Sequence, residues 1–169
     1  MNISPSFRGR PGWLRTCLFA LIAMPLLAQG AGDDDRARND WAFLKAYQAK
    51  NLAVGQPAPS EQRVVFMGDS ITEFWDAKAQ GFFANRAFVN RGISGQTTPQ
   101  MLLRFRQDVI ALKPKVVVIL AGTNDIAGNT GPATVEMIAD NIASMAELAR
   151  VHGIRVVLSS VLPVNRYPW

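Results

Sequence analysis

Four short apolar segments that alternate with helical patterns constrain the fold of this chain more than any other feature. The clearest is Lys115–Ala121 (KVVVILA), whose continuous aliphatic run predicts a strand covered on both faces. Similar runs occupy Arg63–Met67, Ala87–Asn90 and Ile154–Leu158. Because strands that alternate with helices pair in parallel, the sequence predicts an α/β protein, a doubly wound sheet in a three-layer α/β/α architecture.

Three helical patterns accompany these strands. The first runs from Trp41 to about Leu52, before a break rich in proline. The second begins at Thr98, which we expect to cap it, and carries an apolar stripe along one face. The third runs from about Ala133 to Val151, and Gly153 is predicted to end it in a left-handed conformation.

The first 31 residues have the pattern of an export signal. Three arginines precede an apolar run of eleven residues, Leu18–Ala28, whereas a membrane-spanning helix needs about 20 residues. Small residues predict cleavage within 28–31, so the mature chain would start near Gly32 or Asp33. An uncleaved N-terminal anchor is the alternative. We therefore expect an exported, periplasmic or extracellular protein without a stable membrane span after cleavage.

Charge and cysteine content exclude several kinds of partner and bond. The net charge is +5, but without the three leader arginines 15 basic residues face 13 acidic ones, and a nucleic-acid partner is not expected. The only cysteine, Cys17, lies in the leader, which leaves no disulfide and no cysteine-ligated metal in the mature chain. We interpret residues 32–62 as a linker with a helix and residues 63–169 as the folded domain.

A polar turn containing glycine follows each of the first three predicted strands. The turns are Gly68-Asp69-Ser70, Gly92-Ile93-Ser94-Gly95 and Gly122-Thr123-Asn124-Asp125. The carboxyl ends of parallel strands share one edge of the sheet, where the sites of such folds lie. Ser70 would supply a hydroxyl nucleophile at a strand–helix turn. The backbone N–H groups of Ser70 and Gly95 and the Asn124 amide could bind a developing oxyanion, where one donor is worth about 10²–10³ in rate.

The three turns together resemble the sequence blocks of the GDSL, or SGNH, hydrolases. The first block is similar to residues 68–72, the second to residues 92–97 and the third to residues 122–125. The spacing also matches, with 25 residues from Ser70 to Gly95 and 29 from there to Asn124.

The resemblance implies a flavodoxin-like fold and an esterase, lipase, thioesterase or carbohydrate deacetylase without a metal or other cofactor. It assigns Ser70 as the nucleophile and places Gly95 and Asn124 in the oxyanion hole, with Asp69 and Asp125 in supporting positions. Small-molecule or glycan esters are the substrates that it implies.

The last block of the family, Asp-x-x-His, has no counterpart in this sequence. The only histidine, His152, precedes the fourth strand, which places it about 15–20 Å from Ser70, whereas proton transfer needs about 3 Å. We interpret His152 as a cap at the end of a helix. The chain is accordingly expected to be a truncated copy, without its last strand and helix, and nearly inactive alone.

Two other functions compete with ester hydrolysis. One is a binding protein for acylated glycans, or a decayed remnant, that keeps the pocket but not the base. The other is a cofactor or phosphate module, which the lack of a GxGxxG or Walker-type loop disfavours. Phe74 and Trp75 are interpreted as packing residues rather than as a wall of the substrate site.

Overall fold

The structure is a computed structural model, and it describes residues 38–78, 81–84 and 87–166. The predicted leader, residues 1–31, and its cleavage site lie outside the described residues. Contacts divide the chain after Asn39, and the four strands and the helices that pack on them lie in the unit Asp40–Trp169.

Four parallel strands form a single sheet, which confirms the predicted α/β class. They are β1 (Val64–Gly68), β2 (Phe88–Gly92), β3 (Val116–Leu120) and β4 (Arg155–Leu158), in the order β2-β1-β3-β4. The chain first moves outward from β1 to β2 and then crosses to β3 on the opposite side. In doubly wound sheets, the binding crevice lies beside such a reversal.

Helices flank the sheet on both sides. They are α1 (Gln48–Val54), α2 (Ser70–Lys78), α3 (Thr98–Asp108), α4 (Thr123–Ile126) and α5 (Val135–Val151), and short 3₁₀ turns occupy Phe82–Ala84 and Ile110–Leu112. Residues of α3 and α5, among them Phe105 and Met145, share one hydrophobic core with the inward side chains of β1, β2 and β3. This face of the sheet contains most of the buried apolar residues.

An aromatic cluster covers part of the opposite face. The Phe66 ring on β1 makes edge contacts with four other rings at centroid distances of 5.2 to 5.7 Å, namely those of Trp75, Phe82, Phe83 and Phe88. The expectation that β3 is covered on both faces is wrong. Val117 and Ile119 are fully buried but Val118 is only half-buried, because the aromatic cluster lies over β1 and β2.

The first predicted helix begins later than expected, at Gln48 rather than Trp41. Residues 41–47 form turns, and Phe43 has a φ of 58°, a left-handed conformation that a helix does not tolerate. Glutamine side chains satisfy carbonyl groups of this segment that a helix would otherwise have paired. The donor and acceptor pairs are Gln96 with Ala42, Gln100 with Trp41, and Gln107 with Leu44.

The N-cap of α3 is Thr97 and not Thr98 as predicted. The Thr97 N–H donates to Gln100 Oε1 over 3.0 Å, which is half of a capping box. Thr98 is instead the first helical residue, and its N–H and hydroxyl donate to the Asp125 carboxylate. Gly153 follows α5 at a φ of 69°, as its position predicted.

Candidate active site

The strand register brings the three predicted turns to one edge of the sheet. Gly68 of β1 is aligned with Gly92 of β2 on one side and with Leu120 of β3 on the other. Ser70, Gly95 and Asn124 follow these aligned positions by two, three and four residues. Since neighbouring strands lie about 4.8 Å apart, the three turns are adjacent at the carboxyl edge.

Ser70 is the first residue of α2 and is half-buried. Its hydroxyl and its backbone N–H have no hydrogen-bond partner among the described residues. Asp69, directly before it, is fully buried, and its Oδ1 accepts the Ile71 N–H at 2.9 Å. Burial raises the pKa of Asp69 above its ordinary value, the Ile71 hydrogen bond lowers it, and the charge of Asp125 adds to the rise. The Asp69 carboxyl therefore holds the backbone directly after Ser70.

The start of α2 lies directly against the end of β2, and Gly92 makes this approach possible. A Cβ atom on Gly92 would lie 2.2 Å from the backbone nitrogen of Glu73 and 2.7 Å from its Cα. No side chain fits at that distance, and both clashing atoms belong to the backbone. The glycine therefore sets the depth at which the nucleophile turn and the first turn of α2 sit on the sheet.

Gly95 lies in an exposed loop after β2 with a φ of 75°, which favours glycine. Its N–H donates to no group among the described residues, while its carbonyl accepts from Asn129 Nδ2 at 3.1 Å. The preceding Ser94 donates its N–H to Glu73 Oε2 over 2.7 Å, and its hydroxyl donates to the same oxygen. Within the described residues, the loop thus presents an N–H group without a partner, and hydrogen bonds hold the backbone on both sides of it.

Asn124 and Asp125 lie in α4, and both are buried. Asn124 Nδ2 donates to the Gln96 carbonyl over 2.9 Å, so the amide lies beside the loop that carries Gly95. Asp125 accepts the Thr98 N–H on both carboxylate oxygens at 3.0 Å and the Thr98 hydroxyl at 2.6 Å. Asp125 therefore joins the turn after β3 to the start of α3.

Arg104 on α3 connects these turns through buried hydrogen bonds. Its role was not predicted from the sequence. Its guanidinium is fully buried and donates to the carbonyls of Gly68 (3.2 Å) and Arg91 (2.9 Å), to the Gln96 side chain and to Asp108 (3.0 Å). Burial lowers the pKa of Arg104, and the Asp108 carboxylate opposes that shift. A sequence signal existed, since residues 100, 104 and 108 are polar at four-residue spacing beside the apolar stripe.

Comparison with known proteins identifies the family. The sequence profile of the GDSL-like lipase/acylhydrolase family matches residues 66–169. The chain belongs to this family. A crystal structure of a GDSL-like lipase from Bacteroides thetaiotaomicron superposes with a TM-score of 0.74 and 52% identity, covering 77% of this chain and 63% of that one.

Two curated relatives of this GDSL-family chain are more distant. A lipoprotein of Bacillus subtilis, YqeF, is 37% identical over 139 residues, which cover 72% of this chain and 57% of the relative. Esterase TesA of Pseudomonas aeruginosa is 34% identical over 120 residues, which cover 63% of this chain and 58% of the relative. The chain thus spans about three-fifths of the length of the relatives that it matches.

His152 lies at the end of a helix, as the sequence predicted. His152 is the C-cap of α5, and its Nδ1 lies 2.8 Å from the Leu148 carbonyl oxygen. β4 begins after it, at Arg155, so His152 lies at the amino edge of the sheet and Ser70 at the carboxyl edge. The sequence has no other histidine.

The two aromatic residues of α2 differ in their surroundings. Trp75 packs on the cluster, stacked on Phe82 at a centroid distance of 4.9 Å, as predicted. Phe74 is 55% exposed and makes no ring contact within the described residues, so its interpretation as a packing residue is wrong. Phe74 lies one helical turn from Ser70, on the same side of α2.

The described part of the chain contains neither a membrane-spanning helix nor a cluster of metal-ligating side chains. None of the helices in residues 38–78, 81–84 and 87–166 is both long and apolar enough to cross a bilayer. In the same residues, no group of three or more histidine, cysteine, aspartate or glutamate side chains could hold a metal ion.

Proposed function

We propose that this chain carries the nucleophile and oxyanion hole of a serine-dependent carboxylic ester hydrolase. The observation that carries the proposal is a serine hydroxyl at the start of α2 together with two backbone N–H groups, those of Ser70 and Gly95, that have no hydrogen-bond partner among the described residues. The Asn124 amide lies at the same edge of the sheet. Unpartnered donors of this kind are what a developing oxyanion requires.

In the proposed reaction, Ser70 Oγ attacks the carbonyl carbon of an ester. The carbonyl oxygen becomes an oxyanion that the N–H groups of Ser70 and Gly95 and the Asn124 amide stabilise. The alcohol then leaves with a proton, and an acyl group remains on Ser70. Water cleaves this acyl-enzyme, releases the acid and restores the hydroxyl. The helix start at Ser70 adds a favourable dipole for the negative charge.

The attack also requires a base for the Ser70 proton, and no described side chain is placed to be that base. His152 does not reach Ser70 from the opposite edge of the sheet. Serine hydrolases without a working triad keep about 10³–10⁴-fold acceleration over water through the oxyanion hole and binding. We therefore expect the chain by itself to hydrolyse esters slowly, through Ser70.

Added imidazole provides a direct test, because a free base can supply the proton acceptor that no described side chain provides. Hydrolysis of p-nitrophenyl acetate and p-nitrophenyl octanoate is measured for the parent chain and Ser70→Ala across an imidazole series. With the parent chain, hydrolysis is expected to be faster than with imidazole alone. With Ser70→Ala, the rate is expected to equal that of imidazole alone. Ser60→Ala, which removes an exposed serine that precedes the amino end of β1, is the matched control and should behave as the parent.

The same experiment decides between hydrolysis and the binding alternative. If parent and Ser70→Ala give equal rates at every imidazole concentration, the assignment of Ser70 as nucleophile is wrong. Saturable binding of the ester in that case would support an acyl-ester binding protein. A preference for longer acyl chains would appear as a higher Ser70-dependent rate with the octanoate than with the acetate.

We further propose that the protein is exported, as its first 31 residues suggest. The Bacillus subtilis relative is itself named a lipoprotein, which supports export of this chain. Expression in a Gram-negative host followed by N-terminal sequencing of the periplasmic fraction is the test. The expected first residue lies near Gly32 or Asp33, and a chain that stays in the cytoplasm with its first residues intact would contradict the proposal.

A further inference from the structure

We infer that Glu73 is a positioning residue that holds the Gly95 N–H in the oxyanion hole through Ser94. The inference deepens the proposed function and rests on it. Glu73 does not approach the reacting atoms in this scheme. It acts on the loop after β2, whose position decides where the Gly95 donor points.

The contacts are direct and involve a single carboxylate oxygen. Glu73 Oε2 accepts the Ser94 N–H at 2.7 Å and the Ser94 hydroxyl as well. Hydrogen bonds to an ionised acceptor are shorter and stronger than those between neutral groups. Within the described residues, Ser94 has no other hydrogen-bond partner, so this carboxylate is the only polar anchor of an exposed residue.

The placement of the two bonds explains their effect on Gly95. The peptide group that joins Ser94 to Gly95 carries the Gly95 N–H, and it is flanked by the Ser94 nitrogen and the Gly95 carbonyl. Glu73 holds the first, and Asn129 Nδ2 holds the second at 3.1 Å. Because both flanking groups are held, the Ser94–Gly95 peptide group has little freedom to rotate. Gly95 itself has a φ of 75°, a conformation that glycine adopts at low cost.

Glu73 is also attached to the nucleophile by a short, stiff path. It lies three residues after Ser70 in α2, and its backbone nitrogen would be 2.2 Å from a Cβ on Gly92. The helix cannot shift toward β2, and the loop cannot separate from the helix without losing both bonds. The carboxylate therefore sets the distance between the Ser70 nucleophile and the Gly95 donor.

A role in positioning predicts a specific kinetic signature. Oxyanion donors act on charge that develops in the transition state, so a misplaced donor lowers kcat while KM stays near its original value. Loss of a whole donor costs about 10²–10³ in rate. Glu73→Ala leaves the donor present but loosely held, and we expect its kcat for the Ser70-dependent, imidazole-assisted reaction to fall about 10- to 100-fold.

The test combines amide hydrogen exchange with that rate. Glu73→Ala is expected to speed exchange of the Ser94 amide at least about tenfold, because a hydrogen-bonded amide becomes solvated. Glu73→Gln keeps an acceptor oxygen and is expected to recover most of both the protection and kcat. Asp76→Ala removes an exposed acid of the same helix and is the matched control, which should leave exchange and rate unchanged.

The outcomes separate this inference from the proposed function. If Ser70→Ala equals the parent, the proposed function fails, whatever Glu73 does to amide exchange. If the Ser70-dependent rate exists and Glu73→Ala leaves the Ser94 amide protected, Glu73 does not hold the loop. If exchange rises but kcat is unchanged, the contact is structural only, and the positioning role is overturned.

Discussion

The carboxyl ends of β1, β2 and β3 are built very differently from β4. The first three are joined by buried polar groups. For example, the Arg104 guanidinium donates to one carbonyl of β1 and to one of β2. In β4, the side chains are largely exposed, with Val157 at 43% and Leu158 at 57%. The difference shows where this fold fixes atomic positions closely and where it needs only strand pairing.

The buried network favours this arrangement because a shift of either turn would separate the buried Arg104 guanidinium from its partners. Arg104 lies between Asp108, the Gln96 side chain and the two strand carbonyls. A guanidinium taken out of water is tolerated only while its donors are satisfied. The turns that carry Ser70 and Gly95 are therefore tied to the same buried cation, and a shift of one requires a shift of the other.

The largest effect is expected from Arg104→Met, which breaks this network. It leaves the Asp108 carboxylate buried without its ion-pair partner, and breaking a buried pair costs about 3–5 kcal/mol. Urea unfolding followed by circular dichroism measures the loss. A free energy of unfolding within about 1 kcal/mol of the parent would show that the network does not stabilise the fold.

Val157→Ala on β4 is the control for Arg104→Met. The side chain is partly exposed and faces away from the core formed with α3 and α5. Substitutions at such positions change stability by about 0.5 kcal/mol or less. A loss at Val157 comparable to that at Arg104 would remove the contrast between the two regions.

A smaller effect is expected at Tyr47, whose hydroxyl donates to the Gly92 carbonyl. Burial raises the pKa of this phenol from 10.0 to about 12, and the charge of Arg104 opposes the rise. Tyr47→Phe removes the bond and leaves a carbonyl unpaired, which is expected to cost about 1–2 kcal/mol at pH 7.

The raised pKa also predicts how the stabilisation by Tyr47 changes with pH. A phenol with a higher pKa in the folded state stabilises the fold fully below pH 10 and loses that contribution as pH rises toward about 12. The stability difference between parent and Tyr47→Phe should therefore shrink over that range. Absorbance at 295 nm should show one of the two tyrosines titrating near pH 12, and two ordinary transitions near pH 10 would contradict the prediction.

The backbone of the fold could be predicted from the sequence because its signals are local. Apolar runs identified β1 to β4 within two residues at each end, and glycine-containing turns identified the edge where Ser70, Gly95 and Asn124 meet. Each inference needed only neighbouring residues and the rule that parallel strands share a carboxyl edge.

The polar contacts could not be predicted, because they join residues distant in sequence. Gln100 is 59 positions from Trp41, and its amide replaces the helical bonds that residues 41–47 were expected to make. Glu73 lies 21 positions from Ser94. A surface-like glutamine or glutamate in a helix pattern gives no sign of the carbonyl or N–H that it will meet, and tertiary context overrides local propensity there.

The three glutamine side chains that hold residues 41–44 contact carbonyl oxygens, which every amino acid possesses. The attachment therefore depends on the path of the chain rather than on the identities of the residues along it. Leu44 is 41% exposed, so this position should tolerate substitution well in laboratory libraries and should vary more among natural relatives than the glutamines that bind the stretch. A library randomised at Leu44 should retain most members in the folded pool, whereas one randomised at Gln96, whose side chain also meets Arg104, should retain few.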